Sequence, residues 1–144
     1  MTQPSPGSLV IDTSAAAAIV FGKPGWQHLA EHLERSVHRL MSAATRVEFG
    51  IVVEARLWPA GQDVAERFVR EAGIEVVPVD QDQAARALSG WRRYGKGRHP
   101  AGLNLGDCFT YALAEQTGHP VLCTGDDFAA TNVEVVPPPG PSER

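Results

Sequence analysis

Apolar and polar positions along this chain switch between two periods. Short apolar runs of strand length, rich in β-branched residues, recur at Leu9-Val10-Ile11, His38–Met41, Ile74–Val79, Val121–Cys123 and Val133–Val136. Between them, apolar residues return every three or four positions, as on one face of a helix. That spacing predicts helices from Ala15 through Phe21, from Trp26 (with Leu29, Ala30 and Leu33) to about Arg35, and from Ala43 to Trp58. Further helices are predicted over Gln62–Glu71, over Gln81–Trp91 on Ala84, Ala85 and Leu88, and over Leu105–Thr117 on Leu105, Cys108, Phe109, Ala112, Leu113 and Gln116. Stop and start signals agree: Thr13 or Ser14, Ser42 and Asn104 suit N-caps, Pro59 and Gly73 end helices, and Gly118 with Pro120 closes the last long one. A short helical turn is expected at Asp127–Ala130. Strands separated by helices throughout predict an α/β fold around a parallel sheet.

At 144 residues the chain is large enough for one domain with a substantial core. Residues 1–8 read as a flexible lead-in, 9–136 as the domain and 137–144 as a flexible proline-rich tail. The net charge of −4 argues against a simple nucleic-acid coat, which would be basic overall. It leaves room for a nuclease, because an acidic site covers its charge with cations. Cys108 and Cys123, the only cysteines, sit in apolar segments and read as buried thiols, which suits a reducing compartment. The longest wholly apolar run, Ala15 to Phe21, falls far short of the ~20 residues that span a bilayer. With no secretory pattern at the start, the expectation is a soluble, cytoplasmic protein with no membrane partner.

The chemistry lies in the carboxylates. Asp12 follows the first strand and precedes a helix, which places it at the carboxyl edge of a parallel sheet, where α/β folds hold ligands. Asp126-Asp127 follow the Val121–Cys123 strand in the same way. Asp107 falls at the third position of the Asn104-capped helix, where a capping-box acid is the simpler explanation. Glu48 lies in line with Ala44, Ile51 and Ala55, so its helix turns it toward the core side. If these acids meet, each ionised pair at ~5 Å costs about 3 kcal/mol at an effective dielectric near 20. An oxygen-only ligand set answers that repulsion with Mg²⁺ or Mn²⁺ rather than Zn²⁺, and predicts metal-assisted phosphoryl chemistry.

A basic stretch stands directly ahead of Asp107. No acid occurs from Gln83 through Gly106, whereas Arg86, Arg92, Arg93, Lys96 and Arg98 do. With Gly95 and Gly97 allowing close backbone approach, it reads as a grip on a phosphate backbone. Trp91, Tyr94 and His99 are candidate stacking surfaces for RNA bases.

Val10-Ile11-Asp12-Thr13-Ser14, the helical Glu48, Gly102-Leu103-Asn104-Leu105-Gly106-Asp107-Cys108 and Gly125-Asp126-Asp127-Phe128 together resemble the four acidic landmarks of PIN-domain ribonucleases, and in order and spacing the VapC toxins of bacterial toxin–antitoxin pairs. The resemblance runs from about Leu9 to Val136. It implies a PIN-like three-layer fold with a parallel sheet of four or five strands, and Mg²⁺- or Mn²⁺-dependent endoribonuclease activity. A homodimer and neutralisation by a cognate VapB-type antitoxin are implied with it. Asp12 and Asp107 would then be the principal metal ligands, Glu48 would hold metal or water, and Asp127, or alternatively Asp126, would be the fourth acid. Lys96, Arg98 and Arg93 would contact RNA, while Thr13 and Ser14 would contact RNA or orient Asp12 or a water.

Two rival readings make different predictions. A phosphatase using Asp12 as nucleophile, of the haloacid-dehalogenase type, carries a second Asp two positions on, where this chain has Ser14. A catalytically silent binding module would use the acids only to receive a basic partner segment.

Overall fold

A computed structural model describes residues 7–138. The chain runs β1 (Ser8–Ile11), α1 (Thr13–Phe21), α2 (Trp26–Arg35), β2 (His38–Ser42), α3 (Ala43–Leu57), α4 (Gly61–Glu71), β3 (Ile74–Val77), α5 (Gln81–Tyr94), α6 (Leu105–Thr117) and β4 (Val121–Leu122). A 3₁₀ turn follows at Phe128–Ala130. The four strands are parallel, in the order β3-β2-β1-β4. Most of the expected lead-in and tail, residues 1–6 and 139–144, lie outside the described residues; Ser8 already belongs to β1.

Burial of β1 on both faces explains the three layers. Leu9 and Ile11 enter one core with Met41, Phe49, Val53 and residues of α1 and α2, whereas Val10 enters a second core with Leu103, Tyr111, Leu113 and Val121. Successive side chains of a strand point to opposite faces, so both faces of the sheet are covered by helices. β3 stops at Val77 because Pro78 has no N–H to offer a neighbouring strand. The expected Val133–Val136 strand is reduced to one rung: Val121 N–H donates to Glu134 O and Val136 N–H to Val121 O, each at 2.9 Å. The sheet is therefore four-stranded.

Helix boundaries agree with expectation, but several helix faces do not. The N-cap of α1 is Asp12 itself, whose carboxylate accepts from Ser14 N–H at 3.1 Å; Thr13 and Ser14 are the first helical residues. On α3 the buried stripe is Thr45, Phe49 and Val53, while Ile51 and Ala55 face outward. On α5 it is Gln83, Ala87 and Gly90, and Ala84, Ala85 and Leu88 are exposed. Leu105 is 76% exposed at the start of α6, whose core side is Cys108, Tyr111, Ala112 and Leu113. In a three-layer fold an apolar stripe can face solvent or another molecule as readily as the sheet, so periodicity alone misassigns it.

Candidate active site

β1 delivers Asp12 to the carboxyl edge of the sheet, and its backbone stays in register there through Asp12 N–H donating to Leu122 O at 3.0 Å. The side chain is buried, yet every contact it makes is polar. Its Oδ2 accepts from Ser14 N–H and, at 2.7 Å, from Ser14 Oγ; its Oδ1 accepts from Thr110 Oγ1 at 2.7 Å. Ser14 Oγ in turn accepts from Thr124 N–H at 3.0 Å, which ties the loop after β4 to the start of α1. A buried carboxylate is tolerated where donors replace its lost water, and here they do.

Glu48 arrives from α3, half-buried, and its Oε1 accepts from Thr13 Oγ1 at 2.5 Å. Its carboxylate lies against the backbone of Gly106, so closely that a Cβ there would collide with all three of its terminal atoms. Asp107 forms the expected capping box: Asn104 Oδ1 accepts from Asp107 N–H at 2.9 Å and Asp107 Oδ2 accepts from Asn104 N–H at 3.1 Å. The cap engages one oxygen, Oδ2, so it does not by itself exclude a second task for this carboxylate. Burial raises the Asp107 carboxyl from its usual 3.8 to about 6, opposed by the Asn104 hydrogen bond and helped by the nearby charges of Asp12, Asp127 and Glu48. Carboxylates from β1, α3, α6 and the loop after β4 therefore converge.

The two consecutive aspartates differ in their surroundings. Asp127 is among the charges raising Asp107, whereas Asp126 lines an adjoining cavity of about 290 Å³ with His28, Leu29, Cys123 and Gly125. Cys123, between β4 and this loop, is pushed up to about 12 by burial and by the surrounding Asp12, Asp107, Asp127 and Asp126. Cys108 is also raised, by burial and then by Asp107. Both shifts disfavour the thiolate, the form that acts as nucleophile.

Thr13 and Ser14 point their hydroxyls inward at Glu48 and Asp12 and so orient carboxylates. The basic stretch is largely held by its own loop. Arg93 reaches the hydroxyls of Tyr94 (3.0 Å) and Tyr111 (3.4 Å) and lies 3.8 Å from Glu115. Arg98 covers one face of Trp91 at 4.2 Å, and Tyr94 packs edge-on against His99. Gly95 is buried where a Cβ would strike the Trp91 carbonyl, so it closes α5 tightly instead of meeting a phosphate. Lys96 is exposed, and its side chain edges an apolar groove of about 430 Å³ with Leu88, Trp91, Leu105 and Phe109. None of the four converging acids lines that groove.

Three contributors escape the sequence-level search: Thr110, Thr45 and Gly106. Their signals are faint but present. Thr110 and Thr45 each lie one helical turn from an acid, Asp107 and Glu48, and Gly106 sits beside Asp107 in a helix that gains nothing from glycine.

The donor set is all oxygen and heavily anionic, which suits a hard divalent cation such as Mg²⁺ or Mn²⁺. The spacing is looser than the chemistry. Among the described residues no three His, Cys, Asp or Glu side chains stand close enough to hold an ion as placed. One oxygen of Glu48 and one of Asp107 are turned to Thr13 and Asn104, leaving the other of each for a ligand. No helix among the described residues is long and apolar enough to cross a membrane.

A PIN-domain family model matches residues 9–133. Ribonuclease VapC42 of Mycobacterium tuberculosis is 46% identical over 126 residues, covering 87% of this chain and 96% of that protein. Ribonuclease VapC30 of the same species is 41% identical over 128 residues, covering 89% and 98%. Among solved structures, M. tuberculosis VapC20, a sarcin–ricin-loop-cleaving toxin, superposes with a TM-score of 0.69 at 17% identity, covering 89% of this chain and 98% of its own. A Klebsiella pneumoniae toxin–antitoxin complex gives 0.67 at 18%, covering 89% and 96%. At those identities the structural likeness is one of fold.

Proposed function

Because this chain belongs to the PIN-domain family of VapC ribonucleases, we propose that its acid crevice is where RNA phosphodiesters are hydrolysed, with Asp12, Glu48, Asp107 and Asp127 holding Mg²⁺ or Mn²⁺. The protein is an endoribonuclease, the toxin of a toxin–antitoxin pair. The observation that carries the site is the meeting of carboxylates from β1, α3, α6 and the loop after β4 at one edge of the sheet.

A bound Mg²⁺ or Mn²⁺ supplies Lewis-acid neutralisation of phosphate charge and a water acidic enough to attack at neutral pH. The chain's own groups do the positioning. Asp12 is oriented by three donated hydrogen bonds, two to Oδ2 and one to Oδ1. Glu48 is steadied at one oxygen by Thr13, and Asp107 at one oxygen by the Asn104 N–H. Each can turn its second oxygen to the cation or to the attacking water. In this reading Lys96 and Arg98, exposed on the loop ahead of α6, contact the substrate's phosphates, and Arg93, bonded to the Tyr94 and Tyr111 hydroxyls, steadies that region. Asp126, which faces the neighbouring cavity, is left outside the ligand set in favour of Asp127.

The partners follow the same reading. A cognate VapB-type antitoxin silences the toxin by presenting a basic segment to this acidic crevice. The chain pairs with a second copy through apolar residues exposed on α5 and the start of α6, with Leu88 47%, Trp91 39% and Leu105 76% exposed. Leu105→Glu is expected to convert a dimer to a monomer in light scattering without loss of helical signal; an unchanged mass would place the contact elsewhere.

The deciding experiment compares purified wild type, Asp12→Asn and Asp107→Asn on RNA with Mn²⁺, alongside growth on induction with and without the adjacent gene product. Wild type should cleave and arrest growth, the neighbouring product should restore it, and both variants should be folded and inactive. Undiminished cleavage by both variants would reject the site.

A further inference from the structure

The buried hydroxyls behind the acids form a directed chain. Thr110 and Thr45 are both fully buried and lie 3.2 Å apart at their hydroxyls, across the contact between α6 and α3. Thr110 Oγ1 also stands 2.7 Å from Asp12 Oδ1. A hydroxyl carries one proton, and a carboxylate can only accept. The Thr110 proton therefore goes to Asp12, and the Thr45 proton must go to Thr110.

The placement of this chain is systematic. Thr45 precedes Glu48 by one turn of α3, and Thr110 follows Asp107 by one turn of α6. Each hydroxyl thus sits one turn from an acid on its own helix, and the bond between the hydroxyls spans the contact of those two helices. Apolar residues would fill that interface at lower desolvation cost, since a buried hydroxyl is tolerated only when bonded. Ser14 performs the matching task at the other oxygen, donating to Oδ2 while accepting from Thr124 N–H.

We propose that Thr110, backed by Thr45, is the positioning residue of the metal site: it fixes the plane of the Asp12 carboxylate and couples that plane to the α3–α6 spacing that sets Glu48 against Asp107. Neither threonine touches the substrate or the cation. Their work is to keep Asp12 from turning its oxygens toward other donors before a cation arrives. The inference rests on Asp12 being a metal ligand, and its test separates the two ideas.

The test measures Mn²⁺ binding to metal-free protein by calorimetry and by the spin-resonance signal of free Mn²⁺, with melting temperature and RNA cleavage on the same samples. Thr110→Val keeps the shape and removes the hydroxyl, Thr110→Ser keeps the hydroxyl, and Thr45→Val removes the backing. Outer-sphere partners of metal ligands commonly carry about 10–100-fold in affinity. Thr110→Val should therefore weaken Mn²⁺ binding at least about tenfold, Thr110→Ser should restore it to within about threefold, and Thr45→Val should fall between. The double valine variant should be no worse than Thr110→Val alone, since both substitutions interrupt one chain. Equal Mn²⁺ affinity in wild type and Thr110→Val would overturn the proposal, as would a Thr110→Ser variant as weak as the valine. If Thr110→Val does not fold, Thr45→Val decides in its place: unchanged affinity there overturns the coupling. Wild type that binds no Mn²⁺ would instead reject the metal reading itself, and the proposal with it.

Discussion

At the residue scale, the informative positions combine two duties. Asp12 is both the N-cap of α1 and the most enclosed acid of the crevice, and Asp107 is both capping-box acid and site acid. The raised Asp107 carboxyl has a consequence for stability. With a folded value of about 6 against 3.8 unfolded, the native state binds more protons between those values. Unfolding free energy should then fall as pH rises through that window and level off above it, in metal-free protein. Asp107→Asn removes this penalty, so denaturation in a chelator should find it more stable than wild type at about pH 7.5, with the gap narrowing as pH falls and closing only below the unfolded value of 3.8. A wild type more stable than the variant at the higher value would contradict the assigned cause. Gly106 is the second sensitive position. Gly106→Ala pushes the Glu48 carboxylate aside, and displacement of about 1 Å at a reacting centre can cost about 100-fold in rate. The expected result is a folded protein with cleavage reduced by about that factor, measured at saturating Mn²⁺.

At the scale of elements, what was legible depended on whether a feature is local. Caps and stops are local, so Ser42, Asn104 and Gly118 were readable from neighbouring residues and stand where expected. Which stripe of a helix meets the core is not local. Ile51, Leu88 and Leu105 look like core residues by type and spacing, yet all three are exposed, while Thr45, Gln83 and Thr110 are buried in their stead. The polar residues are inside because partners from other elements meet them there: Gln83 Nε2 donates to Pro78 O and Gln116 Oε1, and Thr45 pairs with Thr110. No short window of sequence contains both Gln83 and Gln116, or both Thr45 and Thr110. A parallel sheet aligns its strand ends, so Asp12 and Asp126-Asp127 could be expected at one edge; Asp107, on a helix, could be expected there only if the Gly95–Gly102 loop led its helix to that edge. A close contact between α5 and α6 offers its own check. Gly90 on α5 faces the Tyr111 ring of α6, where a Cβ would lie 2.5 Å from Cδ1. Overpacking of this kind costs about 1–3 kcal/mol, so Gly90→Ala should lower the denaturation midpoint accordingly. No change in the midpoint would mean that α5 and α6 can slide apart freely.

At the scale of the molecule, the strand order β3-β2-β1-β4 puts the reversal of winding at β1, with β2 on one side and β4 on the other. The helices that follow β1 pack on one face of the sheet and those that lead into β4 pack on the other, and the gap between such strands is where open α/β sheets accept ligands. Asp12 stands at that gap. The acids it meets lie at positions 48, 107 and 127, each carried by a different element. The acid after β4 is thus the last of the four to be synthesised, so a chain shortened before β4 would keep Asp12, Glu48 and Asp107 but lose both Asp127 and the strand that lies beside Asp12.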